Sequence, residues 1–238
     1  MTCPGSADDA SDVVLPRAVG AALSALTPHA APELRHDELD RLTEGWTEPH
    51  RAYHTLQHLA EMLAALDELV TAGELAPSHL PVAVVAAAYH DLAYDPRAAP
   101  GSNEHRSATW ARDHLHRLGA GEPDVDDVEA LVLLTIDHDP DSLDGLDHRG
   151  RLCASFSDAD LWILSAPPAR YAAYRHQVRT EYAHVPGEIF RTGRATVLQA
   201  LLDRPAVYAT GHARGTWEPR ARANVAAEIA AHTERVRS

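Results

Sequence analysis

Apolar residues return along most of this chain every third or fourth position, the spacing of a helix and not the alternation of a strand. The clearest stripe is Leu56, Leu59, Leu63, Leu66 and Leu69, which predicts a helix over 53–72 closed by Gly73. Residues 82–89 are apolar on every side. That is the pattern of a helix in the middle of a domain, and it predicts one over 80–94. Shorter amphipathic stretches predict helices over 15–26, over 33–45 with Gly45 as its stop, and over 102–118 behind a Ser102 cap. Another covers 124–137, with Val128, Leu131, Leu134 and Thr135 on one side. A helix beginning near Asp158 ends at Ala166-Pro167-Pro168, and three more cover 169–183, 187–202 and 218–237. The last of these fits either packing on the core or service in a dimer. The polar stretch 139–151 reads as a surface loop and 1–12 as a disordered leader. The fold class expected is all-α, a single domain over 13–238 of roughly eight to ten helices.

Composition agrees with helix. Aromatic residues make up 5% and apolar residues 45%, with alanine and leucine dominant. A formal net charge of -14 disfavours a nucleic-acid polymer or an anionic membrane as partner. A small phosphorylated molecule is still compatible, because a metal and a few arginines can reverse the local field. Cys3 and Cys153 lack zinc-ligand spacing and suit a reducing compartment. The chain opens without a basic and then apolar leader and holds no apolar run of membrane-spanning length, so a soluble, cytoplasmic protein is expected.

The candidate chemistry lies in the histidines. There are 16 of them, so chance alone would give about one His-x-x-x-His pair and about one His-Asp pair. Three His-Asp dipeptides occur, at His36, His90 and His138, and context must choose among them. His54 and His58, four apart on a predicted helix, share a face that could offer one metal ligand and one proton donor. They could equally be a solvated or capped pair. His90-Asp91 interrupts the most apolar helix, where an unpartnered pair would be costly and a divalent cation would remove that cost. The alternative is that the helix emerges into water at residue 90. Asp158 and Asp160 point to nearly opposite sides, with Asp158 placed to cap a helix start and Asp160 to face a site. His105, His114, His116, His148 and His176 read as surface residues.

The ordered set His58, His90-Asp91 and Asp160 resembles the H…HD…D signature of the HD superfamily. Three local stretches are similar to a bacterial subfamily of predicted metal-dependent phosphohydrolases: Arg51 to Leu59, Tyr89 to Asp95, and Asn103 to Ala108. Asp158 to Leu164, Tyr174 to Tyr182 and Gly193 to Leu198 continue the likeness, which runs over a core of 51–208. The resemblance implies an HD-type helical domain in which His58, His90, Asp91 and Asp160 hold one or two divalent metals, with Asp158 the alternative to Asp160. It makes His54 a general acid, and Glu104 and His138 the candidates for a second metal or for substrate. Arg51, Arg179 and Arg194 could clamp a phosphate, since a guanidinium matches that group in two-pronged geometry. Each could also be an ordinary ion pair.

The function expected is therefore hydrolysis of a small phosphomonoester or phosphodiester, perhaps of a nucleotide, by metal-activated water. His54 and Asp91 are the catalytic pair, and Mn, Fe, Mg, Ni or Zn the cofactor. Two other classes stand beside it. One is a non-hydrolytic HD protein, either a metal- or nucleotide-binding sensor or a metal-dependent oxygenase. The other is a helical interaction protein without metal.

Overall fold

The uniformly apolar stretch forms the buried centre of the molecule. In the computed structural model, which describes residues 15–139 and 150–234, every side chain from Val82 to Tyr89 is buried. The expected leader, most of the expected 139–151 loop and the end of the 218–237 helix lie outside the described residues.

All described elements are helical, and eleven are α-helices. They are α1 (Gly20–Leu26), α2 (Pro32–Trp46), α3 (Leu56–Thr71), α4 (Leu80–Tyr89), α5 (Ser102–Arg117) and α6 (Glu122–Leu134). Then come α7 (Gly150–Asp160), α8 (Pro168–Glu181), α9 (Gly187–Asp203), α10 (Gly211–Thr216) and α11 (Glu218–Glu234). Helix α4 packs against α1, α3 and α6, and touches α5 and α7. The leucine stripe of α3 is buried throughout, as its spacing requires. Helix α11 lies on α9, α10 and the 3-10 turn Leu161–Ser165, so it packs on the core.

Four differences from the sequence pattern matter for the site. Helix α3 begins at Leu56, with Thr55 capping it through Gln57 N, so His54 precedes the helix. Helix α4 ends at Tyr89, which leaves His90 at its C-cap. The helix expected to begin near Asp158 instead ends there. Helix α7 starts at Gly150, and only a 3-10 turn carries on from Asp160 to Ser165. Ser102 does not cap α5, because its hydroxyl bonds back to Ala99 O, while Gly101 at the N-cap takes a φ of 79° that favours glycine. The short α10 was not legible at all. It is capped by Thr210, whose hydroxyl accepts from Ala213 N.

Candidate metal centre

His90 is only 1% exposed, carried into the core by the apolar face of α4. Its Nδ1 lies 2.8 Å from Ala87 O. A carbonyl only accepts, so Nδ1 carries the hydrogen and Nε2 is turned toward the site. His58, in the first turn of α3, has its Nδ1 3.0 Å from the Tyr53 hydroxyl, which turns its Nε2 toward the site as well. The two Nε2 atoms then face each other at 3.3 Å. The indole of Trp46 packs beside both rings, held by its own N–H to Ala88 O at 2.8 Å.

Two carboxylates close on this pair. Asp160, last residue of α7, places Oδ1 3.1 Å from His58 Nε2 and 3.5 Å from His90 Nε2. Asp91 Oδ2 lies 2.8 Å from His90 Nε2 and 3.7 Å from His58 Nε2. Ligand atoms of His58, His90 and Asp160 all lie within 4.8 Å of one another, and this group could hold a metal ion. The electrostatics agree with that capacity. Burial alone would lower the His90 imidazole, yet Asp91 and Asp160 hold it well above its ordinary value. Both carboxyls are driven the other way: burial would raise them, and the histidines around them keep them ionised. A field that draws a proton this strongly also draws a divalent cation. Two nitrogens and carboxylate oxygens are a donor set that fits one.

His54 reaches the same centre from the turn before α3. Its Nε2 is 3.9 Å from Asp91 Oδ2, and its Nδ1 is 2.8 Å from Glu181 Oε2 on α8. It neighbours His58, with ring centroids 6.0 Å apart, through this turn and not through a shared helical face. Burial would lower the His54 imidazole, but Asp91 and Glu181 raise it.

His54, His58, Asp91 and Asp160 line a cleft of about 420 Å³, with His90 buried behind them. Val197, Leu198 and Leu201 of α9 make an apolar wall, with Arg194 and Arg204 beside it. His138 also lines the cleft, next to Arg204. It follows α6 with a φ of 53°, unusual for a residue with a Cβ, and its Nε2 lies 3.7 Å from Asp160 Oδ2. Burial lowers its imidazole. Glu104 lines the cleft but stands outside the group that meets at the His58–His90 pair.

No protein-family model matches the chain, and neither a curated protein nor a solved structure matches it.

The remaining expectations divide. Asp158 is 1% exposed and turned away, accepting from Ala209 N at 2.7 Å and Thr210 N at 2.8 Å. It ties α7 to the start of α10, so it is neither a ligand nor a cap of its own helix. Arg51 is enclosed, donating to the carbonyls of Asp91 and Leu92 at 2.8 Å each and to Glu48. It fixes the turn after α4 and cannot reach a phosphate. Arg179 donates to the carbonyls of Tyr182 and Val185 and stacks over Phe190, so it too is structural. Arg194 alone of the three lines the cleft. Its Nε donates to Glu228 and its Nη2 to Tyr174, and among the described residues its Nη1 has no partner. His114 is no surface residue, since it bonds the buried Glu38 at 2.7 Å.

Sequence reasoning missed Tyr53, Glu181 and Arg204. Arg204 donates to Asp137 O and His138 O, holding the turn that presents His138. Nothing in a single sequence links residues so far apart. A tyrosine five positions before a helical histidine was the one signal within reach.

Proposed function

We propose that this chain is a metal-dependent phosphohydrolase acting on a small phosphomonoester or phosphodiester. The observation that carries the reading is the pair of facing imidazole nitrogens, flanked by two ionised carboxylates that line an accessible cleft. His58, His90, Asp91 and Asp160 form the ligand set, which suits Mn, Fe, Mg, Ni or Zn. A divalent cation held there supplies positive charge that makes an adjacent water more acidic and polarises a phosphoryl oxygen. The water oxygen joins phosphorus as the bond to the leaving oxygen breaks. The proton that the water loses passes to solvent, while Asp91, whose Oδ2 is 3.9 Å from His54 Nε2, stays ionised beside the imidazole that it helps to keep protonated. His54 gives its Nε2 proton to the departing oxygen. Arg194 meets a non-bridging oxygen with its free Nη1, and the α9 wall receives an apolar part of the substrate. A cleft of this volume suits a nucleotide-sized ligand or a smaller one, and the net charge of -14 opposes a polymer. Likeness to the HD subfamily supports the same chemistry.

The test is metal analysis of the purified chain, beside a folded His90→Ala/Asp91→Ala variant, with a screen for phosphate release from simple esters. About one or two metals per chain, lost in the variant together with phosphate release, is the expected result. Bound metal with no ester hydrolysed would move the reading to a non-hydrolytic sensor, or to an oxygenase if the iron-loaded protein consumed oxygen. Negligible metal in both would leave an interaction protein.

A further inference from the structure

Glu181 of α8 is 5% exposed and divides its two oxygens between two tasks. Oε1 accepts from three consecutive backbone N–H groups, Ala52 and Tyr53 at 2.8 Å and His54 at 3.1 Å. Oε2 accepts from the Tyr94 hydroxyl and stands against His54 Nδ1, both at 2.8 Å. One carboxylate therefore pins the turn before α3 and the ring that the turn carries. Two aromatic rings complete the clamp: Tyr94 tilts over His54 at 4.2 Å between centroids, and Tyr53 meets it edge-on at 4.8 Å.

We propose that Glu181 is the positioning residue for His54, holding a hydrogen on Nδ1 so that Nε2 is the nitrogen that exchanges protons in the cleft. The assignment rests on the phosphohydrolase reading for its catalytic consequence, but its geometric part stands without it. An imidazole free to rotate or to change tautomer would present the wrong nitrogen to the leaving oxygen for part of the time. A carboxylate on Nδ1 removes that freedom and stabilises the imidazolium from which the proton is given. Once the proton has passed from Nε2 to the leaving oxygen, His54 is left as the neutral Nδ1–H form, still bonded to Glu181. Water then restores the Nε2 proton. Backbone support alone needs only Oε1. The placement of Oε2 against the ring and Tyr94 is what points to His54.

The test compares the parent chain with Glu181→Gln by two readouts. Long-range proton–nitrogen spectra of histidine-labelled protein, with His54 assigned by its loss in His54→Gln, report which ring nitrogen carries hydrogen. At a pH high enough for the ring to be neutral, the parent should show His54 as the Nδ1–H tautomer alone. In Glu181→Gln the carboxamide can still serve the three backbone groups, but its NH2 opposes Nδ1–H, so the Nε2–H tautomer should appear. Hydrolysis of p-nitrophenyl phosphate should change by only a few fold, whereas an alkyl phosphate, whose leaving oxygen needs the proton, should slow by ~10²-fold or more. An unchanged His54 tautomer, or equal slowing of both esters, would overturn the assignment. If the parent hydrolyses no ester, the phosphohydrolase reading fails, and the spectra alone decide whether Glu181 sets His54. Should Glu181→Gln not fold, Glu181→Asp carries the same test. The shorter carboxylate withdraws from the ring and must shift both signatures in the same direction.

Discussion

The Nε2 atoms of His58 and His90 face each other across 3.3 Å, and each ring is turned that way by a partner on its other nitrogen. Two imidazole nitrogens this close need a proton or a cation between them. The partners on the far nitrogens decide how well the site is preformed.

For His58 that partner is Tyr53. Tyr53→Phe removes one hydroxyl from a buried ring and leaves the turn's backbone bonds to Glu181 in place. Affinity for Mn²⁺ or Zn²⁺ should fall ~10–100-fold in competition with a chelating dye, with the fold retained. Unchanged affinity would mean that packing against Trp46 suffices to orient His58.

Arg51 was a candidate phosphate clamp by sequence and is a structural tie in the fold. Arg51→Met keeps the apolar stem but strands the buried carbonyls of Asp91 and Leu92. Urea unfolding should show a loss of about 2–4 kcal/mol. At a temperature where the variant is folded, KM for any phosphate ester should stay near that of the parent. A raised KM with unchanged stability would return Arg51 to the substrate.

Much of this was readable in the chain, and the failures share a cause. The α3 stripe and the uniformly apolar α4 are local patterns set by burial, and periodicity found both. His58, His90, Asp91 and Asp160 come together because those helices cross, and residue types in the right order were enough to suggest them. Helix ends were harder. Asp158 and Asp160 follow a polar stretch and so read as a helix start, but α7 reaches back to Gly150. Asp158 does accept from backbone N–H groups, but from those of Ala209 and Thr210 ahead of α10, 50 or so residues later. The arginines show the same limit. Sequence supplies a guanidinium, whereas its partners, carbonyls for Arg51 and Arg179 and a carboxylate for Arg194, are decided by tertiary packing.

Asp158 and Asp160 should separate cleanly by mutation. Asp158→Asn keeps one accepting oxygen and sets an NH2 against a backbone donor, so stability should drop by about 1–3 kcal/mol while metal content is unchanged. Asp160→Asn should do the reverse, losing metal with little loss of stability measured in chelator. Loss of metal in a folded Asp158→Asn would reinstate it as a ligand.

Glu38 is 2% exposed and ties α2 to α4 and α5. Burial would raise its carboxyl, but hydrogen bonds from His114 and Tyr89 lower it below the ordinary 4.5. A depressed folded-state value stabilises the fold above about pH 4.5 and loses that contribution as pH falls through the lowered value. The parent should therefore lose stability steeply on the acid side, and Glu38→Gln should be less stable at neutral pH with a flatter acid limb. Parallel curves for the two proteins in urea unfolding would exclude Glu38 as a source of the acid sensitivity.

Arg194 is the one candidate phosphate ligand that the cleft retains, and its geometry says what its loss should do. Glu228 at 3.1 Å from Nε and the Tyr174 hydroxyl at 2.7 Å from Nη2 fix the guanidinium, leaving Nη1 for an anion. A charge-assisted bond of this kind contributes about 1.5–3 kcal/mol, which corresponds to a rise in KM of ~10–100-fold when it is removed. Arg194→Lys keeps the charge near Glu228, itself 2% exposed, but an ammonium cannot serve Glu228, Tyr174 and a phosphate oxygen in the same directions. Steady-state kinetics should accordingly show raised KM with kcat changed less, because the contact exists before the bond to the leaving group breaks. If Arg194→Lys lowered the melting temperature and left KM where it was, the guanidinium would be a strut between α9 and α11, and the phosphate would have to be held by the metal centre and Arg204.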